Sequence, residues 1–271
     1  MSTHTDLSRR VTLSTLSAMK QAGEKFTMLT AYDASFAAVL DEAGVDVLLV
    51  GDSLGMVVQG HETTLAVTLD DVIYHTRCVA NGCRRALLMA DMPFMSAPNP
   101  DTALLNAGRL MQEGGAHAVK LEGGSRQAET VYRLTQEGVP VCGHLGLQPQ
   151  AVHKLGGYRV QGREAEAAEI MVQDARALQD AGADLLLLEC VPAALGKRIA
   201  ENVRIPVIGI GAGIGTDAQV LVLYDILGLT RGKVPRFSRN FMEGGRTVDE
   251  AVRRFVTAVK ERSFPGPEHV F

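Results

Sequence analysis

The sequence has few of the features that mark nucleic-acid-binding proteins. It contains no tryptophan, and aromatic residues make up only 5% of its 271 positions, so it offers few platforms on which bases could stack. Its 27 basic and 31 acidic residues nearly balance, for a net charge of −4, and lysine and arginine are scattered along the chain. This balance argues against nucleic acid or an anionic membrane surface as a partner.

Cysteine and long apolar segments are also scarce. The four cysteines are Cys78, Cys83, Cys142 and Cys190. They form no C-x-x-C pair and no metal-finger spacing, and a chain of this length needs no disulfide framework. No segment approaches the roughly 18 apolar residues of a membrane span. The segment from Ser8 to Leu13 faintly resembles a twin-arginine export signal, but polar residues follow it where an apolar run is needed. We therefore expect a cytoplasmic protein with reduced thiols and no membrane partner.

What the chain does have is a regular alternation of short apolar runs with longer amphipathic stretches. The runs predict eight strands: Phe26–Thr30, Asp46–Val50, Ala86–Ala90, Ala118–Leu121, Val139–Gly143, Leu185–Leu188, Pro206–Gly209 and Val220–Tyr224. Continuous apolar runs are typical of parallel strands that are buried on both faces. The amphipathic stretches predict helices: Ala34–Ala43, Leu69–Ala80, Thr102–Glu113, Arg126–Gln136, Glu164–Ala181, Ala193–Glu201 and Val248–Arg262. Several end in a glycine that suits a helix C-cap: Gly44, Gly115, Gly138 and Gly182.

Eight strand–helix units predict a single closed barrel. Right-handed crossovers allow an open doubly wound sheet or a barrel, and eight units in a chain close to the roughly 250 typical residues favour the (β/α)₈ TIM barrel. No linker marks a second domain, so we expect one domain over residues 1–271, of which 1–25 form an N-terminal extension with a helix. The longest connection, residues 144–162, is expected to be an active-site loop.

Acidic residues follow three consecutive predicted strands. The active site of such a barrel lies at the C-terminal ends of its strands, and Asp52, Asp91 and Glu122 occupy these positions. Three adjacent carboxylates repel one another unless a cation joins them, and an all-oxygen site with room for water is typical of Mg²⁺ rather than Zn²⁺. Capping of the next helix explains Asp33 as well as a functional role does, but explains the other three together poorly.

Three further polar residues are expected to face the same site. Lys120 lies two residues before Glu122 and so points to the same face of its strand, where it could bind a substrate carboxylate or a developing enolate, or form a structural salt bridge with one of the acids. His144 is expected to line the substrate site, although a lone histidine is more often a core residue. Glu189 directly follows Leu185–Leu188, which shields it from water and makes it a candidate general base; the alternatives are another metal ligand or a helix cap.

Two glycine-rich motifs suggest other chemistry. Residues Gly51–Gly55 match the G-x-S-x-G nucleophile elbow and the Gly-Asp-Ser-Leu signature of an esterase family, which would make Ser53 a nucleophile. The Asp-x-x-His pair of that family occurs nowhere in the chain, so a chance match is the better explanation. Residues Gly209–Gly215 break the dinucleotide-binding spacing; their amides could approach an anion, or the glycines could serve packing alone.

Taken together and in order, these motifs resemble the ketopantoate hydroxymethyltransferase (3-methyl-2-oxobutanoate hydroxymethyltransferase) family. The likeness runs from about Val11 to the Pro265–His269 end. The segments that carry it are Leu29–Asp33, Val50–Met56, Gln59–His61, Ala90–Phe94, Val119–Gly124, Val139–Leu147, Gly156–Tyr158, Val160–Gly162, Leu188–Pro192 and Ile208–Gly213.

The resemblance implies a barrel of the phosphoenolpyruvate/pyruvate superfamily and a step of pantothenate biosynthesis. The implied reaction transfers a hydroxymethyl group from 5,10-methylenetetrahydrofolate to 3-methyl-2-oxobutanoate, through a Mg²⁺-stabilised enolate, and gives 2-dehydropantoate. It also implies one Mg²⁺ per subunit and a homo-oligomer, commonly a decamer. The implied roles are metal binding by Asp52, Asp91 and Glu122, substrate binding by Asp52, Ser53, Asp91 and Lys120, and proton acceptance by Glu189.

Two positions depart from the family pattern, and two other functions stay open. Ala218 stands where glycine is usual, and Tyr224 stands where histidine is usual; both affect only our expectations for the folate side. One alternative is a lyase or mutase of the same superfamily that acts on another 2-oxo acid. The other is a barrel that serves as a binding or scaffold protein, against which the intact acid cluster argues.

Overall fold

The computed structural model describes residues 9–232 and 234–271. Residues 1–8 of the predicted N-terminal extension, and with them Ser8 of the segment that resembles an export signal, lie outside the described residues. Eight parallel strands close into a barrel in chain order. They are β1 (Phe26–Thr30), β2 (Val47–Val50), β3 (Leu87–Asp91), β4 (Ala118–Glu122), β5 (Val141–Gly146), β6 (Leu185–Glu189), β7 (Val207–Ile210) and β8 (Ala218–Leu221). The predicted (β/α)₈ fold is confirmed.

Helices alternate with the strands, and the longer ones cover the outside of the barrel. They are α1 (Leu13–Ala22), α2 (Ala34–Glu42), α3 (Leu54–Val57), α4 (Leu69–Gly82), α5 (Pro100–Gln112), α6 (Ala128–Gln136), α7 (Val152–Leu155), α8 (Ala165–Asp180), α9 (Ala193–Asn202), α10 (Leu223–Ile226) and α11 (Val248–Lys260). The predicted C-terminal glycines adopt the left-handed conformation, as at Gly44 (φ 91°) and Gly182 (φ 103°). None of the helices in the described ranges is both long enough and apolar enough to cross a membrane.

The barrel strands are buried because side chains fill the interior and helices cover the exterior. Every residue of β1 to β4 is buried, including the charged ones. On the outside, α11 buries Phe255, which packs edge to face against Phe241 and Phe264 at ring distances of 5.6 and 6.2 Å. Full burial of such a side chain contributes about 1.5–3 kcal/mol. The barrel closes through the pairing of β1 with β8, and α11 packs on the outside against β1.

Two strands, β5 and β8, differ from their predicted bounds by more than one residue. β5 continues to Gly146, because Gly143 to Gly146 still pair with β6; the predicted loop from 144 therefore starts at Leu147. It contains a 3₁₀ turn (Pro149–Ala151) and α7. β8 ends at Leu221 because the Thr30 hydroxyl accepts a hydrogen bond from the Leu223 N–H at 2.9 Å. Tyr224, predicted at the end of this strand, lies in α10 instead.

Candidate active site at the C-terminal mouth

The register of the barrel brings the predicted site residues side by side. Asp91 on β3 is paired with Lys120 on β4, and Glu122 on β4 is paired with His144 on β5. Glu189 is the last residue of β6. Because parallel strands end at one rim of the barrel, these side chains meet at the C-terminal mouth, where barrel enzymes carry their active sites.

Lys120 is the positive centre of the cluster. Its ammonium lies 2.7 Å from Asp91 Oδ1 and 3.3 Å from His144 Nδ1, and its side chain is buried. Burial by itself lowers the pKa of Lys120, but the charges of Asp91, Asp52 and Glu122 raise it and prevail. The amine therefore remains charged and can bind an anionic group that enters the mouth.

Asp52 contacts Asp91, and its buried carboxyl group has other carboxylates as close neighbours. Its main-chain N–H donates to Asp91 Oδ2 at 2.9 Å, and its own Oδ2 accepts a hydrogen bond from Gln150 Nε2 at 2.8 Å. Burial first, and then the charges of Asp91 and Glu122, raise the pKa of Asp52 to about 8, against the opposing effects of Lys120 and Gln150. Burial and the neighbouring carboxylates therefore both disfavour the charged form of Asp52.

His144 connects the two glutamates. Its Nδ1 lies 3.5 Å from Glu122 Oε1, and its Nε2 lies 3.3 Å from Glu189 Oε2. Only 2% of the histidine side chain is exposed, whereas 16% of the Glu189 side chain is. The imidazole is thus enclosed behind the carboxylates, and Glu189 is the member of this chain of contacts that opens towards solvent.

Ser53 is paired with a phenol rather than with a base. Its hydroxyl lies 2.9 Å from Tyr32 Oη, and burial raises the pKa of Tyr32, so the phenol stays protonated at neutral pH. The main-chain carbonyl of Tyr32 lies 2.7 Å from His75 Nδ1. The centre of the Tyr224 ring lies 5.9 Å from the centre of the Tyr32 ring. A serine esterase needs a base beside the nucleophile, so this geometry does not favour one.

Helix capping accounts for Asp33 and for none of the other acids. Asp33 Oδ1 accepts the Phe36 N–H at 2.9 Å and so caps α2. The N-cap positions after β2, β3, β4 and β6 are taken by other residues: Ser53, Asn99, Gly124 and Pro192. The capping alternative is therefore wrong for Asp52, Asp91, Glu122 and Glu189.

The glycine-rich segment after β7 serves packing. A Cβ atom on Gly213 would lie 2.6 Å from Ala193 Cβ, and one on Gly215 would lie 2.6 Å from Lys197 Cβ, both on α9. Gly213 also has a φ of 82°. The absence of side chains here lets the loop lie directly on α9, which favours the packing interpretation of this motif.

The donor set of the cluster suits a hard cation, although it is not a finished metal site. Among the described residues, no group of three His, Cys, Asp or Glu side chains is arranged to hold an ion as it stands; Lys120 and Gln150 link the carboxylates instead. One buried oxygen, Glu122 Oε1, has no hydrogen-bond donor, whereas Asp91 Oδ1 has the Lys120 ammonium 2.7 Å away. Buried carboxylate oxygens need a donor or a cation, and oxygen ligands with room for water fit Mg²⁺.

Sequence reasoning missed two residues of the network. Gln150 donates its main-chain N–H to Glu122 Oε2 at 3.2 Å and its side-chain amide to the Met92 carbonyl at 3.0 Å, in addition to Asp52. It belongs to the loop after β5, which has no periodicity to place it. Tyr32 was visible at the end of the first strand, but nothing in the sequence pairs it with Ser53.

The closed barrel with buried acids at its C-terminal mouth defines the class of protein, a (β/α)₈ barrel with the position and polar residues of an enzyme active site. A solved structure described as 2,3-dimethylmalate lyase, a member of the PEP mutase/isocitrate lyase superfamily, matches with a TM-score of 0.59 and 17% identity, over 80% of this chain and 82% of the other. At that identity the likeness concerns the fold alone.

The particular family follows from the sequence. The family model for ketopantoate hydroxymethyltransferase matches residues 10–267, and the chain belongs to this family. A curated relative named 3-methyl-2-oxobutanoate hydroxymethyltransferase, from Halorhodospira halophila, is 61% identical over 96% of this chain and 94% of the relative. Another of the same name, from Alkalilimnicola ehrlichii, is 60% identical over 97% and 95%. The predicted family is confirmed.

Proposed function

We propose that this enzyme transfers a hydroxymethyl group from 5,10-methylenetetrahydrofolate to 3-methyl-2-oxobutanoate and produces 2-dehydropantoate for pantothenate and coenzyme A synthesis. Family membership supports the reaction. The structural observation that carries it is the buried Lys120 ammonium among carboxylates at the mouth of the barrel. A 2-oxo acid brings a carboxylate and a polarisable carbonyl, which need a fixed cation of this kind.

One Mg²⁺ per subunit would be held by Asp52, Asp91 and Glu122. The buried Glu122 Oε1, which has no hydrogen-bond donor, supports this assignment, and so do the three carboxyl groups that lie close enough to influence one another. When bound, the ion would act as a Lewis acid on the keto oxygen and stabilise the charge that develops there. An ion also relieves the repulsion between Asp52 and Asp91.

The other substrate contacts come from residues that are fixed by their neighbours. We assign Asp52, Ser53, Asp91 and Lys120 to the 2-oxo acid. Tyr32 holds the Ser53 hydroxyl, which donates a hydrogen bond to substrate and is not a nucleophile. His144 is enclosed between Glu122 and Glu189, so we give it the role of orienting Glu189 from behind.

Glu189 is the proposed proton acceptor. It is the most exposed carboxylate of the chain of contacts through His144, so a substrate C–H can reach it. It takes the proton from C3 beside the keto group, and C3 then forms a bond to the methylene carbon of the folate. Both C–N bonds to that carbon break and water supplies the hydroxyl oxygen. The C3 proton and the remaining water proton end on the two folate nitrogens.

The function is tested by incubation of the full-length enzyme with 3-methyl-2-oxobutanoate, methylenetetrahydrofolate and Mg²⁺, with mass spectrometry for 2-dehydropantoate. We expect product that depends on all three additions. A parallel reaction without folate, in which the oxo acid is cleaved or rearranged, would instead identify a lyase or mutase of the same fold. Absence of product and of any change in the oxo acid would contradict the proposal.

We further propose that the enzyme works in the cytoplasm as a homo-oligomer, a decamer by its family resemblance. All four cysteines are free thiols, as expected in a reducing compartment. Light scattering on the active enzyme tests the assembly, and a stable, fully active monomer would refute it.

A further inference from the structure

A cavity of about 350 Å³ lies beside the carboxylate cluster. Glu189 does not line it, but Glu122, Gln150 and Met92, which belong to or contact the cluster, do. Its volume lies in the range of small-molecule sites. A ligand in it would touch a candidate metal ligand and at the same time extend outward from the barrel.

The side of the cavity formed by the β3 loop is apolar and exposed. Phe94 is 45% and Met95 is 65% exposed, and Met95 adopts a left-handed backbone with φ 61°, which is unusual for a residue other than glycine. Residues held in such conformations cluster at binding sites. An aromatic ring at the edge of a cavity that also contains Leu65, Leu121 and Pro93 offers a surface for a flat ring.

Other residues that line the cavity carry positive charge and amide groups. Arg126 and Lys154 line the cavity together with Gln127 and Gln148. The guanidinium of Arg126 lies directly over Gly123, where a Cβ atom would come within 3.2 Å of Nε. Within the part of the chain that the structure describes, neither cation forms an ion pair, in contrast to Arg109, Arg198 and Arg253 on the outer helices.

We infer that this cavity binds the reduced folate, with its glutamate carboxylates at Arg126 and Lys154 and its ring system against Phe94 and the amides. The inference rests on the proposed function and adds the location of its second substrate. A folate combines a flat hydrogen-bonding ring, an aromatic linker and two carboxylates. The apolar side and the amides of the cavity suit the rings, and the two cations suit the carboxylates. The methylene carbon lies between ring and linker, so it can approach the cluster only if the glutamate end points outward.

The test compares two ligands that differ only in the glutamate. Tetrahydrofolate has it and tetrahydropteroate lacks it, and their affinities for the full-length enzyme with Mg²⁺ can be measured by isothermal titration calorimetry. We expect the double variant Arg126→Gln/Lys154→Gln to bind tetrahydrofolate about 5- to 20-fold more weakly, as for two partly exposed charge pairs. Its affinity for tetrahydropteroate and for 3-methyl-2-oxobutanoate should stay that of the wild type. Arg77→Gln, which removes an exposed arginine from α4 on the outside of the barrel, is the matched control and should change none of the three.

Phe94→Ala provides an independent variant. It should weaken both folates by a similar factor, because the ring side is common to them. Unchanged tetrahydrofolate affinity in the double variant, or an equal loss for both ligands in it, would overturn the inference. Formation of 2-dehydropantoate by the wild type is scored separately, so a cavity that fails the binding test while the wild type makes product leaves the proposed function intact. A wild type that shows the predicted binding but makes no product contradicts the proposed function alone.

Discussion

Lys120 Nζ and Asp91 Oδ1 lie 2.7 Å apart in a place where the two side chains are only 5% and 3% exposed. Such a buried pair is rarely the most stable choice for a protein, because removing both charges from water is costly. Its position at the mouth of the barrel, beside Asp52 and Glu122, gives it a functional reason. The pair keeps a charged amine in an enclosed site. The carboxylate of a 2-oxo acid can bind this amine there in place of water.

Removal of one partner of this pair should affect stability and binding together. Lys120→Met keeps much of the side-chain length and leaves Asp91 without its cation, so we expect the free energy of unfolding to fall by about 3–5 kcal/mol. Binding of 3-methyl-2-oxobutanoate should be lost as well. The double variant Lys120→Met/Asp91→Asn, which removes both charges, should recover much of the stability and none of the binding. Denaturant titration and calorimetry measure the two effects, and an unchanged stability in the single variant would contradict the account.

Asp52→Asn should separate metal binding from folding. The substitution replaces a buried carboxyl group, whose charged form is disfavoured by burial and by Asp91, with a neutral group of the same size, so the metal-free protein should be at least as stable as the wild type. Affinity for Mg²⁺, measured by calorimetry, should fall by roughly tenfold or more. Exhaustive chelation of the wild type should abolish the reaction and readdition of Mg²⁺ should restore it. Full activity after chelation would rule out the metal.

Ser53→Ala should leave a slower but measurable transferase. The hydroxyl is fixed by Tyr32 and only orients substrate in this account, so its loss removes one hydrogen bond, worth about 0.5–1.5 kcal/mol. Tyr32→Phe, which removes the partner instead, should cause a similar decrease. A serine-directed phosphonate should not label the protein; stoichiometric labelling of Ser53, detected by mass spectrometry, would show that it is a nucleophile.

The barrel and the charged residues of the site could be predicted from the sequence for a physical reason. Strands buried on both faces must be apolar throughout, so Asp52, Asp91 and Glu122 stood out as charges at the ends of such runs. Parallel strand order then determines that these ends share one rim. The apolar runs are local features of the chain, and the shared rim follows from the direction of the strands alone.

The cross-links between the site residues could not be predicted in this way. Gln150 reaches Asp52 across 98 positions of sequence, from a loop whose path depends on packing rather than on a periodic pattern. Tyr224 showed the same limit. The strand predicted to contain it ends at Leu221, and α10 places its ring 5.9 Å from that of Tyr32, and so beside the Ser53 contact.

A histidine far from the site should make the stability depend on pH. His117 Nδ1 accepts the main-chain N–H of Leu88 at 2.9 Å, and burial, with a smaller effect of Arg10, lowers the pKa of His117 below 6.5. The unfolded chain therefore binds the proton more readily than the folded chain. Stability from this group is present above pH 6.5 and is lost as the pH falls towards the lower folded pKa.

His117→Asn tests this dependence. The asparagine side-chain oxygen can occupy the place of Nδ1 and accept the Leu88 N–H, but it does not titrate. We expect the variant to lose less stability than the wild type between pH 7 and 5 in denaturant titrations. A wild type and variant whose stabilities fall in parallel over this range would assign the pH dependence to other groups.

The most direct test of the account concerns Glu189 as the base that removes the C3 proton. With Mg²⁺ in D₂O and no folate, the wild type should exchange the C3 hydrogen of 3-methyl-2-oxobutanoate, which NMR follows directly. Glu189→Gln keeps the size and removes the basicity, so exchange and transfer should both fall by about 10²–10⁴-fold while substrate still binds. His144→Asn, which alters the residue behind Glu189, is the control and should reduce both rates less. If His144→Asn abolished exchange and Glu189→Gln retained it, the base would be His144. Normal exchange in both variants would contradict the assignment of either residue.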